Sequence, residues 1–459
     1  MYSLRIIENE TETLIRCRTW LGALQNTNSE YRNNQKHLAQ GTCTWILETK
    51  EYLEFSETQE QKHLWVNGIP GMSTCPDQNL KCSTSNNMLT YLATVGSGKS
   101  VLSSFVITQT QDHPVTDLRV LFFFCKDSSQ ETSTAAAIAS NLIDQLIGQN
   151  PLKSLFKILN NARIIHAKSD KCTDFETLWD IFVSMARKFP TRIMVVVDAL
   201  DECQTDRSAL MDRILSSNEE TGGNIRFFLT SRWERDIYDK FTSHNNIIPC
   251  LMSVDADIEK FVVQRVEEFQ HLQESHLKRR ITNEVPKKSA GMFRYATLLL
   301  HELDSPSTTD ITDLLNAPPK DLNEMYVRIL LRLDLAYPNS RSRQMRKKIL
   351  SWVAVAKRPL SVKELAYACA VKDNETSFDP TKRVLATGRY LLDNCGPLIE
   401  ILDDKVQYTH LSVKEFLLQK QYGFTRMQKQ AEECLLDEGE AHASVGITCS
   451  EYHILRADF

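Results

Sequence analysis

Between residues 63 and 252, five short apolar runs, His63–Ile69, Val120–Cys125, Ile193–Val197, Ile225–Leu229 and Ile247–Met252, are separated by stretches long enough to hold helices. Runs of this length bounded by turn residues suit strands buried on both faces. Three of the intervening segments, Thr134–Ile147, Phe175–Phe189 and Asp206–Leu215, carry a helical spacing of apolar residues. Strand and helix therefore alternate, which predicts an α/β fold: a parallel sheet covered by helices.

At 459 residues the chain is long enough for two or three domains. Residues 1–62 read as a helical lead-in, with Gly41 placed just before the apolar cluster Trp45-Ile46-Leu47, and residues 63–254 as the α/β core. Beyond Asp255 the strand signal stops. Helical periods over Ile258–Phe269, Lys288–Leu303 and Leu322–Leu333 predict a helical domain at 255–338. In 339–424, a helix running from Arg346 is followed by Ser361-Val362-Lys363-Glu364, whose spacing is that of a capping box opening the helix Leu365–Ala370. Pro397–Leu402, an Asp403-Asp404 turn and Val406–Leu411 read as a hairpin, and Ser412-Val413-Lys414-Glu415 as a second capping box. Two helices and a hairpin predict a winged helix. Residues 425–459 show no strong period and are expected to be an unstructured or truncated tail.

Gly96-Ser97-Gly98-Lys99-Ser100 has the chemistry of the second half of a phosphate-binding loop. Glycines let successive backbone N–H groups turn onto phosphate oxygens, a lysine reaches the β- and γ-phosphates, and a hydroxyl binds Mg²⁺. The full pattern needs a glycine where Ala93 stands. Joining Gly68-Ile69-Pro70-Gly71 to Ser97-Gly98-Lys99-Ser100 restores it directly after a strand. Residues 72–96 then read as foreign sequence, a retained intron, inside the loop. A loop of about 25 residues costs only roughly 3 kcal/mol of closure entropy, but the cradle of amides needs neighbouring residues. Gly68, Gly71, Gly98, Lys99 and Ser100 are thus the candidate nucleotide-binding residues, for ATP or GTP, and Ser100 a ligand of Mg²⁺.

The strand at Ile193–Val197 delivers Asp198, Asp201 and Glu202 at its C-terminal end. Asp198 suits Mg²⁺, through water, and Asp201 or Glu202 suits orienting or deprotonating an attacking water, since that task needs an acid about one turn beyond the metal carboxylate. A further strand ends in Thr230-Ser231-Arg232, at the sheet edge where open α/β folds bind ligands. Arg232 is either a γ-phosphate sensor or a surface arginine.

With these residues assembled, the chain resembles the NACHT-type signal-transducing NTPases of the STAND kind, especially the fungal-type nephrocystin-3-like N-terminal domain proteins. The resemblance rests on Leu64–Gly71 joined to Ser97–Ile107, on Phe122-Phe123-Phe124-Cys125, on Val195–Cys203 and Phe227–Arg232, and on Gly291-Met292-Phe293. The later Pro318–Tyr326, Arg358–Ala370 and Thr409–Leu417 extend it. It implies a cytoplasmic nucleotide-gated switch that self-associates on activation, passes a signal to a downstream protein in an innate-immunity-like or cell-death pathway, and is a slow NTPase at most. It also implies C-terminal sensor repeats, which are expected to be absent or lost here. By the same resemblance His410 is placed near the β-phosphate; Tyr408 and Leu411 beside it equally suit a core histidine.

A formal charge of −5, from 54 basic and 59 acidic residues, offers no global attraction to nucleic acid or to an anionic membrane. The 12 cysteines include no C-x-x-C pair, so their spacing suggests neither zinc nor a redox motif. Two rival readings stay open. One is a nucleotide-free scaffold or decayed gene product with a broken phosphate loop. The other is a DNA-binding regulator using Val362–Ala370, although one lysine and one glutamate among apolar residues suit packing better than phosphate pairing.

Overall fold

The computed structural model describes residues 2–23, 28–57, 62–68, 96–112, 118–129, 131–149, 153–166, 171–304, 307–370, 388–419 and 435–457. Gly71 and all but the last residue of the 72–96 stretch lie outside these. The chain divides into two units, residues 1–260 and 261–459.

The first unit is built on five strands: β1 (His63–Gly68), β2 (Leu118–Phe124), β3 (Arg192–Asp198), β4 (Ile225–Arg232) and β5 (Ile247–Leu251). They form one sheet in the order β2-β3-β4-β1-β5, with every pairing parallel. Apart from Leu118 and Arg119 at the start of β2, Arg192 at the start of β3, Arg232 at the end of β4, and Pro249 and Leu251 of β5, their residues are buried, as strands covered on both faces must be. Helix α4 (Lys99–Asp112) carries the chain from β1 out to β2 and sends Leu102, Phe105, Val106 and Ile107 into one core layer with Leu64, Val66, Val196 and Phe228. The chain then returns across the sheet from β2 to β5. The helices of that return are α5 (Ala135–Gln149), α6 (Lys153–Ile165), α7 (Phe175–Ala186), α8 (Arg207–Thr221) and α9 (Arg235–Thr242), and they pack into the opposite layer with Trp65, Val195, Val197 and Phe227. A change of direction together with a change of face gives the crossovers one common hand, as the preference of parallel connections for a single hand requires.

The lead-in supplies both layers. Cys17, Trp20 and Leu21 of α1 (Tyr2–Leu21) join the layer of α5–α9. Ile46 of the 3₁₀ turn Thr44–Glu48 and Phe55 of α3 (Lys50–Glu57) join that of α4. Between them α2 (Asn28–Lys36) lies on α4, where the Tyr31 and Thr108 hydroxyls are 2.9 Å apart.

His63, at the start of β1, is fully buried, and its Nδ1 accepts the Phe227 N–H at 3.1 Å. Burial pushes the ring down to about 4, so the fold holds it neutral. The unfolded chain takes up this proton near pH 6.5 and the folded chain only near 4, so stability is full above 6.5 and falls as pH drops between the two values. The loss by pH 4 is expected to be about 3 kcal/mol. Urea midpoints followed from pH 7 to 4.5 should fall more steeply for the wild type than for His63→Gln; parallel curves would remove His63 as the cause.

In the second unit, after the end of α10 (Asp255–Glu267), come α11 (Ser275–Ser289), α12 (Phe293–Leu303), α13 (Thr308–Asn316) and α14 (Leu322–Ala336). The helix read over Lys288–Leu303 is two helices, because Ala290 and Gly291 take positive φ of 44° and 79°. Next come α15 (Ser340–Val355), β6 (Leu360–Ser361), α16 (Val362–Ala370) and α17 (Gly388–Cys395), then β7 (Ile399–Leu402) and β8 (Lys405–Tyr408) in an antiparallel sheet of order β6-β8-β7. Ser361 and Glu364 form the expected box: the Ser361 N–H donates to the Glu364 carboxylate at 2.7 Å and the Glu364 N–H to the Ser361 hydroxyl at 3.2 Å. Asp403 and Asp404 both have positive φ, 49° and 62°, as a tight hairpin turn requires.

Two expectations need correction here. Ser412 does not cap the following helix α18 (Leu411–Leu417): the Ser412 N–H donates to Nδ1 of His410, the cap residue, at 3.1 Å, while the Ser412 hydroxyl meets that of Tyr326 at 2.7 Å. The tail expected to be unstructured contains α19 (Glu438–Ala457), and Leu435, Leu436 and Ala441 at its start are buried. No helix among the described residues is long and apolar enough to cross a membrane.

Candidate nucleotide site

Because β4 lies between β1 and β3, the C-terminal ends of these strands bring Gly68, Arg232 and Asp198 to one edge of the sheet, with Gly68 in register with Arg232. A direction change beside β1 opens a crevice there, where open α/β sheets bind ligands. The end of β1 abuts the Gly-Ser-Gly-Lys-Ser segment despite the residues between them in sequence. A Cβ added to Gly68 would stand 3.3 Å from Ser97 Oγ and 3.9 Å from Lys99 Nζ. Gly96 and Gly98 have φ of 76° and 86°, conformations that turn backbone N–H groups toward one side. Lys99 opens α4 and donates from Nζ to Ser97 Oγ at 3.2 Å.

Asp198, the last residue of β3 and 2% exposed, gathers three hydroxyls. Ser100 donates to Oδ2 at 2.5 Å, while Ser103 and Thr230 donate to Oδ1 at 2.6 and 2.7 Å. Burial raises the carboxyl all the same, against these hydroxyls and the Lys99 charge. Thr230 Oγ1 also accepts the N–H of Ala199, which holds φ at 55° and so starts the 3₁₀ turn Leu200–Glu202. No motif in the sequence marks Ser103 or Thr230 as a partner of Asp198. The spacing of Ser103 from Ser100, one helical turn, is a local signal, but the approach of Thr230 depends on β4 lying beside β3.

The 3₁₀ turn carries the other two acids. Asp201 accepts the Arg232 N–H at 2.8 Å, and its carboxylate lies 3.4 Å from Arg232 Nε, at side-chain exposures of 4% and 12%. Arg232 thus sits inside the site's ion-pair network rather than on the surface. Glu202 accepts the N–H of Asp127 at 3.0 Å, and burial followed by the Asp201 charge pushes its carboxyl up to about 8. Burial draws the Lys99 ammonium down, opposed by Asp201, Asp198 and Glu202 and reinforced by Arg232. One crevice therefore holds a lysine at a helix N-terminus, a hydroxyl on a strand-end carboxylate, two further acids and an arginine. This donor set fits a triphosphate with a divalent cation: amides and Lys99 for phosphate oxygens, Ser100 and Asp198 for the metal. His410 belongs to the second unit, where it caps α18.

Residues 77–232 match the family model for nephrocystin 3, N-terminal, and residues 333–431 that for the GPI inositol-deacylase winged helix domain. The first match spans Lys99, Asp198 and Arg232 and begins after Gly68. The chain is 23% identical over 395 residues to the vegetative incompatibility protein HET-E-1 of Podospora anserina, covering 83% of this chain and 26% of that protein. It is 29% identical over 175 residues to the azaphilone pigments biosynthesis cluster protein L of Monascus ruber, covering 36% of this chain and 35% of that one. The chain thus spans about a quarter to a third of the length of these relatives. Solved structures that align with it include the Aeropyrum pernix ORC1 protein in complex with DNA (10% identity, 86% of this chain and 93% of that one, TM-score 0.36). Cdc6p from Pyrobaculum aerophilum aligns similarly (10%, 91% and 98%, TM-score 0.37). Overlaps this loose say nothing of function.

Proposed function

From the premise that this chain belongs to the NACHT-type P-loop NTPases, with a nephrocystin-3-like module followed by a winged-helix domain, we propose that it is a nucleotide-gated signalling switch. It binds ATP or GTP with Mg²⁺ and self-associates in the nucleotide-bound state. The observation that carries the reading is the Asp198 carboxylate held by Ser100, Ser103 and Thr230 beside Lys99. Bound nucleotide would supply the phosphoanhydride whose cleavage changes the state, and Mg²⁺ would offset its charge. The protein's own part is positional. Lys99 and the amides around Gly98 hold phosphate, Ser100 and Asp198 hold the metal, and Arg232 senses the terminal phosphate. Burial and the Asp201 charge raise the Glu202 carboxyl, and a bound cation would lower it toward the ionised form that a base requires. A role in incompatibility, the word in the name of the Podospora relative, or in cell death is the biological setting we propose, and the cytoplasm its location.

Calorimetric titration of the full chain with MgATP, MgGTP and MgADP tests the reading, with micromolar affinity, about −8 kcal/mol, expected for at least one. A chain lacking residues 72–96 should bind more tightly if that stretch interrupts the loop. No heat from either form at millimolar nucleotide would leave the nucleotide-free scaffold.

A further inference from the structure

We propose that Arg207 is a positioning residue for the acids of this site, an assignment that rests on the nucleotide reading above. Arg207 is the first residue of α8, where a cation opposes the helix dipole. Its position is better explained by its three partners. Nη1 donates to the backbone carbonyl of Asp201 at 2.8 Å, and Nη2 reaches the Glu234 carboxylate at 2.7 Å and that of Asp236 at 2.8 Å. The guanidinium therefore ties the turn carrying Asp201 and Glu202 to the segment just after Arg232. Asp201 and Arg232 already bond to each other, through the Arg232 N–H and the 3.4 Å ion pair. Arg207 closes this into a ring from outside, touching neither Lys99 nor Asp198 in any bond described. A planar fork spreads its donors over separate nitrogens, so that one holds the carbonyl while another holds the two carboxylates, whereas an ammonium presents its three donors from a single point. The clamp thus fixes the distance between the acid that handles water and the arginine that reads phosphate, and leaves phosphate binding to α4.

The test compares Arg207→Ala and Arg207→Lys with the wild type, all as full chains. For Arg207→Ala we expect kcat to fall about tenfold or more while nucleotide Kd and KM stay within about threefold, the signature of an interaction that matters in turnover rather than binding. Arg207→Lys should recover part of the loss. Amide exchange at residues 200–203 and 232 should quicken in Arg207→Ala, with or without nucleotide, while the β1 and β3 amides keep their protection. Unchanged exchange at the turn overturns the clamp, as does a wild-type kcat in Arg207→Ala or a loss of affinity that matches the loss of turnover. If the wild type neither binds nor hydrolyses nucleotide, the nucleotide reading fails and the positioning role for hydrolysis fails with it, while the exchange measurement still decides whether the clamp exists.

Discussion

Lys99→Ala is expected to weaken nucleotide binding by about 100-fold or more, roughly 2.7 kcal/mol, with the melting temperature nearly unchanged. The side chain stands at the head of α4 beside Ser97, its charge facing Asp198, Asp201 and Glu202. A phosphate chain brought into this crevice meets three acids, which Lys99, Arg232 and, at Glu202, Lys126 offset. Removing the ammonium takes away a charge-assisted bond and leaves the incoming anion facing carboxylates. The fold itself should tolerate the change, since the apolar contacts of α4 come from Leu102, Phe105, Val106 and Ile107. Equal affinity of wild type and variant by calorimetry would end the assignment of this crevice as the phosphate site.

The second large effect lies in the winged-helix half. Arg346 of α15 is fully buried; its Nη1 bonds to Asp334 of α14, and Nε donates to the Asn394 carbonyl of α17 at 2.7 Å. Arg343 adds a second contact to Asp334 at 3.2 Å. Asp334→Ala leaves a guanidinium in the core with no counter-charge, which is expected to cost about 3–5 kcal/mol, whereas the double change Asp334→Leu with Arg346→Met should cost far less because no charge is left behind. Urea unfolding followed by far-UV circular dichroism reads both. A single variant within about 1 kcal/mol of wild type would show that the pair is not the buried tie among these helices that it is drawn to be.

Periodicity announced the strands and most helices because each depends on contacts repeated along one short segment. The capping box at Ser361 and Glu364 was legible for the same reason: both partners lie within one turn. Ser412 and Glu415 repeat that spacing, yet the Ser412 hydroxyl is drawn to Tyr326, 86 residues away, and His410 takes over the cap. Helix α17 went unread, its Gly388 lying where a Cβ would come within 2.8 Å of Ile401, a close approach set by the hairpin. At the site, Lys99, Asp198 and Glu202 carried recognisable neighbours in sequence. The third hydroxyl on Asp198 and the Arg232 bond to Asp201 come from strand order, which no local pattern encodes.

Strand order also decides when the crevice can exist during synthesis. The partners of β1 are β4 and β5, and Leu64 is in register with Phe228. A ribosome that has released the chain only through Asp198 has already made Lys99 and Asp198, but β1 still has no strand to pair with. The candidate nucleotide site is thus a late product, closed by non-local pairing once β4 slides between two strands made earlier. Such pairing is slow and exposes apolar edges while it waits. A nucleotide bound there would then favour the closure made by β4, and variants that weaken β4 should reduce the yield of soluble protein before they alter its affinity.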